Sequence, residues 1–267
     1  KRAKSLAEYM LNSTVMACRG QKILAQAMNT AMYENHVVQD KIRKLQNYGY
    51  EVITPASGYL ACGDTGAGKM PEPETLLEYI LKEAAFQKDL AGKKLLVTAG
   101  PTQEAIDPVR CLTNHSSGKM GYAIAKMAML RGAEVTLVSG PTAIEPPLFV
   151  KVVPVTSARD MFEAVTGLSD EQDIIIKAAA VADYRPKQVS EDKVKKKDDQ
   201  ASIELERTDD ILKYLGQHKK QGQFLCGFSM ETKDMLRNSR AKLEKKNLDM
   251  VAANNLKVEG AGFQGDT

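Results

Sequence analysis

The chain has 267 residues, with 37 lysines and arginines against 34 aspartates and glutamates, for a formal net charge of +3. Apolar residues at 43% and charged residues at 27% are ordinary for a globular chain and exclude a disordered or fibrous one. A chain this long buries roughly 70–75% of its unfolded surface, and the length fits one or two domains. Such balanced charge predicts no nucleic-acid partner unless basic residues cluster on one face. The longest apolar stretch, 174–182, is interrupted by Lys177. It falls short of the roughly 18–20 residues needed to cross a bilayer, so no membrane partner is expected. The four cysteines, Cys18, Cys62, Cys111 and Cys226, form no C-x-x-C pair, and there are only three histidines. Neither a structural zinc site nor a disulfide framework is expected, and reduced thiols fit a cytoplasmic location. No signal peptide is visible, and the chain opens at Lys1 with a helix-like sequence already running, which predicts further residues upstream.

Two blocks follow in chain order. In the first, residues 1–90, a helix-like opening leads to a short strand at 21–27. A helix at 30–48, a strand at 51–54 and a glycine-rich loop at 58–68 come next. Leu76, Leu77, Ile80 and Leu81 then recur at helical spacing and predict a helix over 72–87. The stretch 88–93, with Gly92, reads as a linker.

The second block, residues 91–267, alternates strand and helix. Strands are expected at 94–99, 134–139, 149–155, 173–180, 223–229 and 248–253. Helices are expected at 119–131, 157–168, 209–217 and 231–246. Gly132 stands where a helix C-terminal cap belongs. Ser157 and Asp160 make the S-x-x-D start of a capping box. In the charged last helix, Met235, Leu236 and Leu243 are expected to face inward. Valine-, isoleucine- and leucine-rich runs alternating with helices predict an α/β fold: a Rossmann-like, doubly wound, mostly parallel sheet with helices on both faces. The first block reads as a partial α/β fragment before it.

In such a sheet, ligands gather beyond the carboxyl ends of the strands. The loops there carry four candidate features. Asn114-His115-Ser116-Ser117-Gly118-Lys119-Met120-Gly121 opens a helix, where hydroxyls, pliant glycine backbone and first-turn N–H groups suit a phosphate. It matches neither G-x-G-x-x-G nor the P-loop, and an ordinary serine–glycine helix cap remains open. Lys193-Val194-Lys195-Lys196-Lys197, in a nearly wholly polar stretch, could meet a triphosphate and its metal, or be a solvated charge run. Ala178-Ala179-Ala180-Val181-Ala182-Asp183 leaves room for a flat ring, with Asp183 able to bind Mg²⁺, or is a tightly packed strand ending in an aspartate turn. Residues 58–70 carry Cys62, a proton donor or nucleophile if exposed, an incidental thiol if buried.

With these residues a resemblance emerges. Residues 94–267 are similar to phosphopantothenoylcysteine synthetase, through 98–102, Asp107-Pro108-Val109-Arg110, 113–121, 178–186, 193–196 and 247–254. Residues 1–80 resemble the C-terminal part of phosphopantothenoylcysteine decarboxylase, through Ala27-Met28-Asn29-Thr30-Ala31-Met32-Tyr33 and Leu60-Ala61-Cys62-Gly63-Asp64. Gln26 and Tyr33 depart from that family's proline and usual tryptophan. Its N-terminal flavin-binding region and catalytic histidine have no counterpart here, and the synthetase part also reads as clipped after Asp266.

The resemblance implies the two activities of a bacterial fusion. CTP converts 4′-phosphopantothenate to an acyl-cytidylate with release of pyrophosphate, and the amine of L-cysteine then displaces CMP. In the complete protein, an FMN-dependent decarboxylation follows. It implies Lys193 as the lysine of the first step, assisted by Lys195 and Lys196. Gly100, Ser116, Ser117, Gly118 and Lys119 would hold phosphate oxygens, and Asn114 would act on the intermediate. Ala179, Ala180 and Asp183 would read cytosine and place Mg²⁺, with Asp210 and Phe228 as further pocket members. Asn29 would bind the substrate carboxylate and Cys62 protonate the product. The synthetase part is expected to form a homodimer. An NAD(P)-dependent oxidoreductase and a nucleotide-binding module without turnover are the alternatives.

Overall fold

In a computed structural model of the chain, the structure describes residues 10–60, 63, 65–195, 202–231 and 234–255. Two compact units divide between Phe86 and Gln87. Among the described residues no helix is long and apolar enough to cross a membrane.

In the first unit, α1 (Met10–Ala17) precedes β1 (Ile23–Ala25), α2 (Thr30–Glu34), α3 (His36–Asn47) and β2 (Glu51–Ile53). β1 and β2 pair in parallel, so α2 and α3 form the crossover between them. The single helix expected at 30–48 is two. Asn35 leaves helical geometry, and its side chain accepts the Val37 N–H to start α3. Asn29 caps α2 in the same way, accepting from Ala31. The glycine-rich stretch expected as a loop is a hairpin of β3 (Ala56–Tyr59) and β4 (Thr65–Lys69). Its glycines permit close packing: a methyl on Gly68 would stand 2.0 Å from the Met28 carbonyl oxygen. α4 (Pro73–Ala84) closes the unit, started by Pro73 in its first turn. Leu77 and Ile80 stay half exposed on it.

The second unit contains the parallel sheet. β5 (Lys94–Ala99) is followed by a hairpin of β6 (Gln103–Ala105) and β7 (Cys111–Thr113), then α5 (Lys119–Leu130), β8 (Glu134–Ser139) and β9 (Lys151–Pro154). α6 (Ala158–Ser169) leads to β10 (Ile174–Lys177) and a second hairpin of β11 (Tyr184–Pro186) and β12 (Leu205–Arg207). α7 (Ile211–Gln217), β13 (Phe224–Glu231), α8 (Met235–Lys245) and β14 (Met250–Asn255) complete it. The six-stranded sheet runs β14-β13-β10-β5-β8-β9, all parallel. The chain winds outward from β5 to β9, returns to β10 beside β5, and winds outward again to β14. That reversal is the expected doubly wound topology, and its crevice lies at the carboxyl ends of β5 and β10.

Local chemistry explains the elements. Ser157 and Asp160 form the capping box of α6, each side chain taking a main-chain N–H of the other. Gly132 ends α5 at φ +93°, a left-handed conformation natural to glycine. Leu96, Val138, Met161, Val165, Ile175, Ile211, Leu215 and Leu225 form one buried cluster under α6 and α7. Of the residues expected inward on α8, Leu243 packs against this cluster and Leu236 faces solvent.

At the amino ends of the strands, two aspartates tie neighbours together. Asp173 accepts the Lys94 N–H at 2.8 Å, and Asp249 accepts the Leu225 N–H at 2.7 Å. Leu96 is fully buried at the centre of β5. Leu96→Ala should cost about 2–5 kcal/mol, read as a lower urea midpoint with an unchanged slope.

Candidate functional site

The ends of β5 and β10 meet at the rim where the winding reverses. The β5–β10 ladder continues past both strands: the Ala178 N–H donates to the Thr98 carbonyl at 3.2 Å and the Ala180 N–H to the Gly100 carbonyl at 2.9 Å. Gly100 and Gly118 both have positive φ and lie against each other, since a methyl on Gly118 would stand 3.2 Å from the Gly100 nitrogen. The turn before α5 is therefore folded directly onto the end of β5. There the Gly118 N–H donates to Ser116 Oγ at 3.3 Å and the Lys119 N–H to Ser117 Oγ at 3.4 Å. These bonds are long, so the first-turn donors are only weakly held. Asn114 Nδ2 donates to the Ala180 carbonyl at 2.9 Å, which joins the serine turn to the end of β10.

A cavity of about 390 Å³ opens next to this junction. Lys177, Asp183, Arg207, Asp210, Lys242 and Lys246 are among its walls. Burial pushes the Lys177 ammonium down to about 8, and the neighbouring Lys242 charge adds to that effect. Asp210 caps α7 by accepting the Lys213 N–H at 3.0 Å and pairs with Lys246 Nζ at 2.6 Å. Burial alone would raise its carboxyl, but the Lys246 and Lys213 bonds outweigh it and hold the group below the usual carboxylate range. Lys242 Nζ donates to the Phe228 carbonyl at 2.6 Å, which ties this wall to the middle of β13. A second cavity of about 520 Å³ lies at the ends of β8 and β9, lined by Tyr122, Ser139, Thr142 and Thr156 among others.

The structure thus brings together Gly100, Asn114, Ser116, Ser117, Gly118, Lys119, Ala179 and Ala180 at one junction. Asp183 and Asp210 line the adjoining cavity, whereas Phe228 does not and reaches it only through the bond of its carbonyl to Lys242. Lys193 and Lys195 lie in the segment after β11, tied to the hairpin that leads into Asn114. Lys196 and Cys62 lie outside the described residues. Asn29 belongs to the first unit, where its side-chain oxygen is engaged in capping α2. The N–H groups of Ala179 and Ala180 are committed to Thr98 Oγ1 and the Gly100 carbonyl, so these two donors brace the strand end. Among the described residues no three acidic, histidine or cysteine groups cluster as metal ligands.

Three cavity residues were not legible as such in sequence. Lys177 gave a signal, a lone charge inside an apolar strand. Lys242 and Lys246 gave none, because lysines on a charged helix read as solvated. For FMN the first unit offers the Thr30 hydroxyl, which is buried and has no hydrogen-bond partner among the described residues. Gly66 and Gly68 form no cradle, because Thr30 and Met28 occupy the space beside them.

Comparison with known proteins places the chain. Residues 90–267 match the family described as DNA/pantothenate metabolism flavoprotein C-terminal domain, and residues 3–85 match the flavoprotein family. The coenzyme A biosynthesis bifunctional protein CoaBC of Bacillus subtilis is 47% identical over 270 residues, covering 100% of this chain and 66% of the relative. A cysteine/cysteine sulfinic acid decarboxylase of an unknown prokaryotic organism is 41% identical over 272 residues, covering 100% of this chain and 76% of the relative. A crystal structure of the C-terminal domain of a CoaBC protein superposes with a TM-score of 0.56 at 55% identity, over 62% of this chain and 79% of that one. The chain spans just under two thirds of the CoaBC relatives it matches. These matches correct the expected family. Over its larger part the family shown is a flavoprotein C-terminal domain, not a synthetase domain preceded by a decarboxylase remnant. The chain belongs to the DNA/pantothenate metabolism flavoproteins, through the C-terminal domain of that family.

Proposed function

We propose that the chain works in coenzyme A biosynthesis, as part of an enzyme that joins flavin-dependent decarboxylation to nucleotide-driven acid activation. The names of the bifunctional relatives support the pathway, and the flavoprotein match and the decarboxylase relative support the lyase half. The observation that carries the second half is the cavity at the winding reversal. Three lysines and an arginine face it, against Asp183 and Asp210, beside a serine turn whose N–H groups are weakly held. That charge pattern suits a nucleoside triphosphate with its metal, CTP with Mg²⁺ in this reading. Lys177, Lys242 and Lys246 meet phosphate oxygens, Asp183 faces the metal, and an anion displaces the long serine bonds at Gly118 and Lys119.

A carboxylate is a poor acyl donor, because its leaving group would be an oxide. Transfer of the cytidylyl group to the carboxylate of 4′-phosphopantothenate, with pyrophosphate leaving, makes an anhydride that the amine of cysteine can open. Lys193 neutralises charge on the departing pyrophosphate. Asn114, fixed on the Ala180 carbonyl, stands beside the anhydride. In the other half FMN, when bound, supplies the redox chemistry of decarboxylation, and Asn29 holds the substrate carboxylate. A second copy of the chain pairs through the two hairpins, whose Val109, Tyr184 and Leu205 are exposed.

The test is direct. The chain is incubated with CTP, Mg²⁺ and 4′-phosphopantothenate, with and without cysteine. Pyrophosphate should appear as a stoichiometric burst without cysteine and continuously with it. No pyrophosphate in either case would overturn this reading.

A further inference from the structure

Val194, between Lys193 and Lys195, is gripped at both of its peptide groups. Its N–H donates to Asp107 Oδ2 at 3.2 Å, and its carbonyl accepts from Arg110 Nη2 at 2.8 Å. Asp107 and Arg110 are paired to each other by Arg110 Nε at 3.0 Å and Nη2 at 2.5 Å. The other Asp107 oxygen accepts the N–H groups of Val109 at 2.9 Å and Arg110 at 2.8 Å. The Asp107 side chain is completely buried, while Arg110 is half exposed. A second tie lies four residues earlier, where the Ser190 N–H donates to the Ile106 carbonyl at 3.0 Å.

A solvated charge run needs none of this. Burying a carboxylate costs free energy that its partners must offset, and here five donors do so. The ion pair, with its carboxylate buried and its guanidinium half exposed, is directed at the main chain of a segment with almost no apolar side chains of its own. The same connection continues through β7 into the Thr113 hydroxyl, which donates to the Thr102 carbonyl at 2.8 Å, and then into Asn114 on the Ala180 carbonyl. One hairpin therefore holds the lysine segment at its tip and Asn114 at its base.

We propose that Asp107 and Arg110 form a positioning clamp that fixes where Lys193 and Lys195 leave the body, on the rim shared with Asn114. The proposal deepens the reading of Lys193 given above and rests on it. The clamp acts through the main chain of Val194, so its loss should free the segment without emptying the cavity of its cationic walls.

The test combines hydrogen exchange with turnover in the full chain. In Asp107→Asn, the Val194 amide should exchange at least 10-fold faster while β10 keeps its protection. CTP affinity should stay within about two-fold, pyrophosphate release should fall at least 10-fold, and adding Lys193→Gln should lower it no further than Lys193→Gln alone. Unchanged exchange at Val194, or faster exchange with unchanged pyrophosphate release, would overturn the clamp. If Asp107→Asn loses protection in β10 as well, Arg110→Met is read by the same criteria, since it leaves Asp107 its main-chain donors. Wild-type release in Lys193→Gln would instead sink the role given to Lys193, whatever Asp107→Asn does.

Discussion

Lys193→Gln should lower pyrophosphate release without cysteine by about 10²–10³-fold, the scale of losing one preorganised charge at a reacting centre. The substitution keeps length and removes charge from an exposed side chain in a segment whose neighbours are held by main-chain bonds. Folding should be unaffected, since surface changes of this kind rarely shift stability by more than about 0.5 kcal/mol. The control lies on the same segment. Lys187 pairs with Glu204 at 3.5 Å, and Lys187→Gln removes one positive charge nearby without touching the clamped residues. It should leave release within about two-fold. Equal losses in both variants would mean that only the general positive field matters, and Lys193 would have no special place in the reaction.

A large loss of stability should come from Gly140→Ala. A methyl there would stand 1.8 Å from the Pro101 carbonyl oxygen, against backbone that cannot rotate away. Gly140 also donates its N–H to the Ala99 carbonyl at 3.0 Å, so the ends of β5 and β8 must part to admit the methyl. The expected cost is about 3 kcal/mol or more. Gly167, inside α6, has open space where a methyl would stand, with no atom of the described residues within 4 Å beyond its own stretch of helix. Gly167→Ala should be neutral or stabilising by up to about 1 kcal/mol. Urea unfolding of the two variants separates steric conflict from the general effect of replacing glycine; similar midpoints would contradict the packing read here.

The parallel sheet was legible because its central strands are six-residue apolar runs, KLLVTA and EVTLVS, and because Ser157, Asp160 and Gly132 mark helix ends. The three hairpins were not. QEA, CLT, YRP and LER are too short and too polar for a period of two to show, and their pairing depends on contacts distant in sequence. Asp183 and Asp210 could be read as pocket members from a strand end and a helix start. The cationic wall could not: Lys242 and Lys246 meet Lys177 only because α8 packs back beside β13. Asp107 and Arg110 stood out in the sequence as part of a family motif, but their grip on Val194 spans more than 80 residues and needs the fold to be seen.

The aspartates at the amino ends of the strands give the sheet an uneven response to acid. The Lys94 N–H lowers the carboxyl of Asp173; burial would raise that of Asp249, but the Lys219 and Leu225 bonds hold it down. A carboxylate depressed in the folded state supports folding above its unfolded value and withdraws that support as pH drops through the folded one. Acidification therefore frays the β5–β10 and β13–β14 seams first at their amino ends, so the opposite rim, with Gly100 and Ala180, should be the last part of these seams to loosen.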